Sequence, residues 1–243
     1  LSRKKKLISV VELSEKNIDN SFFNDFLAEE PSEGLLPLET VNNESNNATL
    51  QIVTPLRTSK PLLTIGICST TTNIEALDRV KAQLLPQITD DVEVIISINP
   101  NTTKGEKKNE VIKAATGLYV SFIEQFDDIS PSYVKSLTDK IRSSPGATSI
   151  AFKGKTYYEE KKKVIDQWTI SNLAYGYLKD NVSRFPCCGI NPVLTSIAKN
   201  IIYPFVNDEE NAGFADKFFT KNTHEVFLDE YLYTINFSTK KRR

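Results

Sequence analysis

Three acidic residues, Glu124, Asp127 and Asp128, stand directly behind the apolar run 118–123. A short apolar run of this kind reads as a strand buried on both faces of a parallel sheet. In an open α/β sheet, ligands bind beyond the carboxyl ends of such strands. Lys104, Lys107 and Lys108 lie at or just before a helix expected over 106–115. There, ammonium groups and the free N–H groups of a first helical turn can both face a phosphate, although the same residues would also suit a solvated first turn. The single histidine, His224, has no serine or cysteine nucleophile beside it in the pattern, so a surface or edge-strand position is its simpler reading. Cys68, Cys187 and Cys188 form no CxxC pair, and their odd number indicates neither a structural zinc site nor a disulfide framework.

The elements that must position these groups alternate regularly from residue 62. Strands are expected over 62–68, 92–98 and 118–123, and helices over 74–85, 106–115 and 132–141. Ile74, Leu77, Val80 and Leu84 form one helical stripe that Pro86 ends. This βαβαβα order predicts a parallel sheet with right-handed crossovers. Further on, the pattern predicts a strand over 147–152, a charged hairpin through 157–164, a strand or helix over 168–177, a helix over 209–219, and two short strands over 225–228 and 231–237. Asn191 before Pro192 reads as the start of another helix, with Val193, Ile197 and Ile201 on one face. Trp168, Tyr175 and Tyr177 read as core aromatics first and as a groove lining second.

With 243 residues and 40% hydrophobic content, the chain can bury a full core as one large domain or as one domain with an arm. Residues 1–60 have the texture of an arm and linker, with Phe22, Phe23, Phe26 and Leu27 in a short amphipathic piece and one strand expected at 50–53. Such a piece cannot form its own core, so it needs a partner surface on the domain 61–243, on a second copy, or on another protein. The net charge of −1 hides basic ends at 3–6 and 240–243, each short enough to be a solvated tail, and nucleic acid is not indicated. No apolar run approaches the roughly 20 residues of a membrane span, and no signal-peptide core is evident. A cytoplasmic or virion-associated protein that is not membrane-bound is the expectation.

Residues 105–133 as a whole, GEKKNEVIKAATGLYVSFIEQFDDISPSY, resemble family 2 glycosyltransferases of the GT-A fold. That family's pattern is a basic residue with Asn opening a helix, then ATG, then an apolar strand ending in several aspartates. The resemblance extends over about 62–237. It implies an α/β, GT-A-like nucleotide-diphospho-sugar transferase fold, with a mixed, mostly parallel sheet flanked by helices. It also implies a nucleoside-diphosphate sugar as ligand, contacted by Ser69, Thr70, Asn99, Lys107, Lys108 and Asn109. Mn or Mg would be held by Glu124 and Asp127, and Asp216 or Glu210 would act as the acceptor base.

Several chemical positions depart from the family pattern. The aspartate positions are Glu124, Gln125, Phe126 and Asp127; strand 92–98 is followed by Asn99 where an aspartate is usual. A phage and bacterial branch carries an HLNP-like and a GED-like segment. Here these read Gly189-Ile190-Asn191-Pro192 and Gly213-Phe214-Ala215, without the histidine or the acidic pair. The departures fall on metal, histidine and base positions while glycine, proline and apolar positions keep the pattern. That distribution favours a fold kept for binding or assembly, as in a phage or viral particle, with no cofactor. The alternative is an active family 2 enzyme transferring a sugar to an unknown acceptor.

Overall fold

The computed structural model describes residues 60–69, 74–172 and 185–238 with their side chains, and the backbone of 40–43, 48–53 and 183–184. Three strands form its centre: β3 (Leu63–Ser69), β4 (Val92–Ile98) and β5 (Tyr119–Glu124). They run parallel in the order β4-β3-β5, as the alternation predicts. Their register levels the carboxyl ends, with Ser69 opposite Ile98 and Cys68 opposite Glu124. Burial on both faces explains the nearly continuous apolar sequence of these strands.

Helices cover both faces. Helix α1 (Ile74–Leu84) buries Leu77, Val80 and Leu84, and α2 (Lys104–Ala114) buries Val111 and Ile112. Thr103 starts α2 with a capping box: its hydroxyl accepts from the N–H of Glu106, whose carboxylate accepts from the N–H of Thr103. Helix α3 (Tyr133–Ser143) follows the short strand β6 (Asp128–Ile129).

Beyond β5 the sheet changes character. β10 (Val193–Leu194) pairs antiparallel with both β5 and β7 (Ser149–Tyr158), and β11 (Glu225–Phe237) runs parallel to β7. β8 (Lys163–Ile170) forms the expected hairpin with β7, and β9 (Ser183–Phe185) lies parallel beside β8. The sheet is mixed, as the resemblance implies, but its described pairings are not mostly parallel. β3–β4, β3–β5, β7–β11 and β8–β9 are parallel, and the other described pairings are antiparallel. In the stretch read as arm and linker, the strand expected at 50–53 is β2 (Ala48–Val53). It pairs antiparallel with β4 and carries β1 (Thr40–Asn43) outside it, so residues 40–43 and 48–53 add two strands at an edge of the main sheet, and the rest of the stretch before residue 60 lies outside the described residues.

Two local expectations are corrected. The helix expected from Asn191 is instead β10 followed by the short α4 (Thr195–Ala198). Asn191 accepts a hydrogen bond from the N–H of Cys188, so it caps the turn at 188–191 rather than a helix. Gly189 in that turn has φ +91°, and a Cβ there would lie 2.0 Å from the Tyr203 hydroxyl, which fixes the residue type twice over. The two strands expected near the C-terminus are one strand, β11, with register shifts between Leu228 and Tyr233 that reconcile the break in alternation with continuous pairing.

Candidate functional site

The level carboxyl ends of β3, β4 and β5 form a rim, and α2 leaves it with Lys104 and Lys108 one turn apart. Helix α5 (Glu210–Phe219) approaches the same place with its first residue. Lys108 is the meeting point, with a side chain only 1% exposed. Its ammonium donates to Glu124 Oε1 at 2.7 Å, to Asn211 Oδ1 at 2.8 Å and to Glu210 Oε1 at 3.0 Å. It also lies 5.4 Å from the ring centroids of both Phe122 and Tyr203. Three oxygens and two aromatic faces thus enclose one cation.

Lys104 closes the cluster from its solvent side, 3.2 Å from Glu124 Oε2 and 3.8 Å from Glu210 Oε1. The electrostatics follow from the pairing. Burial alone would raise the Glu124 carboxyl, but Lys108 and Lys104 outweigh it and hold the group down at about 2. Burial alone would lower the Lys108 amine, but Glu124, Tyr203 and Glu210 hold it well above its ordinary value. Lys104 is raised for the same reason. Cys68, beside the cluster, is pushed up to about 12 by burial and stays a thiol.

Lys107 behaves differently. It is buried and is the rim lysine without a carboxylate partner among the described residues, and burial lowers its amine.

The acidic run does not gather as the resemblance implies. Asp127 is buried and accepts from the Asn236 N–H at 3.0 Å and from the Tyr233 hydroxyl at 2.9 Å, which itself accepts from the Glu124 N–H. Asp128 accepts from Gln83 at 2.6 Å and from Asn236 at 2.7 Å, with Arg79 at 3.6 Å. Gln125 accepts from the Ser69 hydroxyl, and the Phe126 carbonyl accepts from Arg79 and Asn236. Asp127 and Asp128 therefore fasten the β5–β6 turn to β11. Among the described residues, no group of three or more His, Cys, Asp or Glu side chains is placed to share an ion. The oxygens of Glu124 and Glu210 that a hard cation would need already face ammonium groups. The residues present do not fit Mn or Mg.

Other expected contacts are distributed as follows. Asn109 clamps the backbone of Tyr203 in both directions, donating to its carbonyl and accepting from its N–H, so its amide is fully engaged in joining α2 to that segment. Asn99 folds back on the N–H of Asn101 in the turn that ends β4. Ser69 is buried at the rim, and Thr70 lies outside the described residues. Asp216 is exposed, about 240° around α5 from Glu210, and the cluster does not include it. His224 is exposed, with its ring 3.2 Å from the Gly146 carbonyl. Within the ATG segment, Thr116 donates both its hydroxyl and its N–H to the buried Glu93, so this threonine fixes the approach to β5.

Asn211 and the counterion role of Lys108 are not among the sequence-based expectations. A signal was available: Lys108 falls three and four residues before Val111 and Ile112, on the apolar stripe of α2. Glu210 similarly falls four before Phe214 on the stripe of α5. Charged residues on buried stripes of two helices are candidates to meet.

No family model matches the chain, and no curated protein matches it in sequence. Solved structures do resemble it in fold. S. aureus TarS, a glycosyltransferase, superposes with a TM-score of 0.51 at 13% identity, covering 72% of this chain and 36% of TarS. S. aureus TarS 1–349 in complex with UDP gives 0.52 at 14% identity, covering 72% of this chain and 60% of that one. The likeness shows a glycosyltransferase-like mixed α/β fold, and this chain spans only part of the length of these proteins.

Proposed function

We propose that the protein is a glycosyltransferase-like module that binds a nucleoside diphosphate or its sugar at the β3–β4–β5 rim without a metal, and that it acts by binding rather than by sugar transfer. One observation carries the reading: the ammonium of Lys108 stands among Glu124, Glu210 and Asn211, where a divalent cation would need the same oxygens. The UDP bound in TarS 1–349, a protein of like fold, supports a uridine diphosphate as the first ligand to test. Lys107, buried and without a carboxylate partner among the described residues, would meet the negative diphosphate, with Lys104 at the open side.

Transfer needs a carboxylate free to take the acceptor's proton. Glu210 is held between two lysines and Asp216 points elsewhere, so neither expected base is in a position to act. An active enzyme of the alternative kind would have to break this cluster during each turnover. The test is calorimetric titration of the full chain with UDP, with and without Mn²⁺, together with UDP-release assays on UDP-sugars. The expected outcome is metal-indifferent binding and no release. Metal-dependent sugar transfer that Glu124→Ala abolishes would refute the proposal and reinstate the enzyme.

A further inference from the structure

A groove of about 430 Å³ runs between α2 and the segment that follows α4, and no residue of the Lys108 cluster lines it. Its walls are Ile112 and Lys113 of α2 with Lys199, Ile201, Ile202 and Phe205, all of them described residues. Ile202 is 60% and Phe205 64% exposed, so two large apolar side chains border one groove without cover among the described residues. Asn109, its neutral polar lining residue, already exchanges hydrogen bonds with the Tyr203 backbone and offers little to a polar ligand. The charge around the groove has one sign. Lys113 and Lys199 line it, the Lys217 ammonium donates to the Ile202 carbonyl at 2.8 Å, and no carboxylate is among its lining residues. The matching occupant carries large apolar side chains flanked by carboxylates.

We propose that this groove is the docking site of the chain's own segment 17–30. At helical spacing Phe22 meets Phe26 and Phe23 meets Leu27, which gathers four apolar side chains on one face with Asn24 and Asp25 on the other. The segment has four carboxylates, Asp19, Asp25, Glu29 and Glu30, and no cation, the complement of the lysine-bordered groove. An apolar helical face laid into an apolar groove is a recurring mode of peptide recognition. The geometry of the sheet puts the segment within reach. Thr40 of β1 pairs with Gln51, which pairs with Ile96 of β4, two strand spacings or about 10 Å in all. The next residue of β4, Ser97, donates to Glu110 of α2 at 2.9 Å, so the described chain begins beside the helix that carries the groove. Residues 28–39 can extend about 40 Å, enough to bring the segment back over that helix. A tether this short gives the chain's own segment an effective concentration in the millimolar range, which favours it over the same segment of a second copy. The proposal does not depend on the function proposed for the β3–β4–β5 rim.

The test is amide hydrogen exchange of the full chain, read reciprocally. In the wild type, amides of 20–28 should exchange at least tenfold more slowly than an unstructured peptide of that sequence. Phe205→Glu and Lys113→Glu, each at an exposed position, should bring that exchange at least threefold closer to the unstructured rate. In the other direction, Phe22→Asp combined with Phe26→Asp should speed exchange in 199–206 at least threefold, a change in the groove caused by a substitution outside it. Unstructured exchange of 20–28 in the wild type, or protection that neither groove substitution alters, would overturn the proposal. Protection that disappears when a dimer is diluted to monomer would also overturn it, because the docked segment would then belong to a second copy.

Discussion

The molecule holds two polar networks around a glutamate, and they are built on opposite principles. At the rim, Glu124 is held by ammonium groups, with Lys108 at 2.7 Å and Lys104 at 3.2 Å. At the far end of β7, the partners of Glu225 include four neutral groups. It accepts from the Asn172 N–H at 2.8 Å, the Asn222 amide at 3.1 Å, the Cys187 thiol at 3.2 Å and the Ser171 hydroxyl. Burial and this carboxylate together keep the Cys187 thiol protonated. The second network ties the ends of β7, β8 and β11 together with hydrogen bonds that lose little if the solvent changes. The first concentrates opposite charges in a low-dielectric place, where removing the buried Lys108 leaves two carboxylates short of their main counterion. Hydrogen-bonded neutrality suits a scaffold, whereas charge compensation ties the stability of the rim to its ionisation.

The largest expected effect is that of Lys108→Met, which leaves the buried Glu124 and Glu210 with only the half-exposed Lys104 as counterion. It should destabilise the protein by about 3–5 kcal/mol at pH 7 in urea titrations. That penalty has a pH signature. In the native protein Glu124 titrates at about 2 against an ordinary 4.5, so its stabilising contribution is complete above about 4.5 and is lost as pH falls toward 2. Without Lys108 the carboxyl should titrate far higher, so the difference between variant and wild type should shrink between pH 7 and pH 4.

Glu225→Ala should cost less, roughly 1–3 kcal/mol, because it strands neutral donors rather than charges. Its cost should be nearly independent of salt, whereas UDP affinity should be unchanged; weakened UDP binding would mean the two networks are coupled. Lys104→Ala removes a pair 41% exposed on the lysine side, so about 0.5 kcal/mol or less is expected, with a clear loss of UDP affinity. Asp216→Asn should fall within about 0.5 kcal/mol of wild type and leave UDP binding intact.

The β3-α1-β4-α2-β5 half was legible because local rules decide it: apolar runs of strand length, helical stripes, and short connections that force neighbours to pair. The β7–β11 half was not, because its register depends on partners far apart in sequence, such as Ser149 with Glu225, and no local period encodes them. Asn191–Pro192 misled for a related reason. The asparagine satisfies a turn N–H, and Val193 then joins β5 and β7 as a strand, so a helix-start signal was overruled by tertiary pairing. At the site, the individual residues Glu124, Lys108 and Glu210 could be picked out, but their roles could not. The resemblance assigned metal, phosphate and base to three groups that in space neutralise one another.

In the proposed reading, Lys108 takes the oxygens that a divalent cation would need. The most direct measurement is a Mn²⁺ titration followed by the EPR signal of the free ion, on wild type and on Lys108→Ala. The account expects all Mn²⁺ to remain free with wild type. It expects saturable binding by the variant, whose Glu124, Glu210 and Asn211 oxygens are released to face the ion, and loss of that binding when Glu124→Gln is added. Stoichiometric Mn²⁺ binding by the unmodified protein, sensitive to Glu124→Gln, would contradict it.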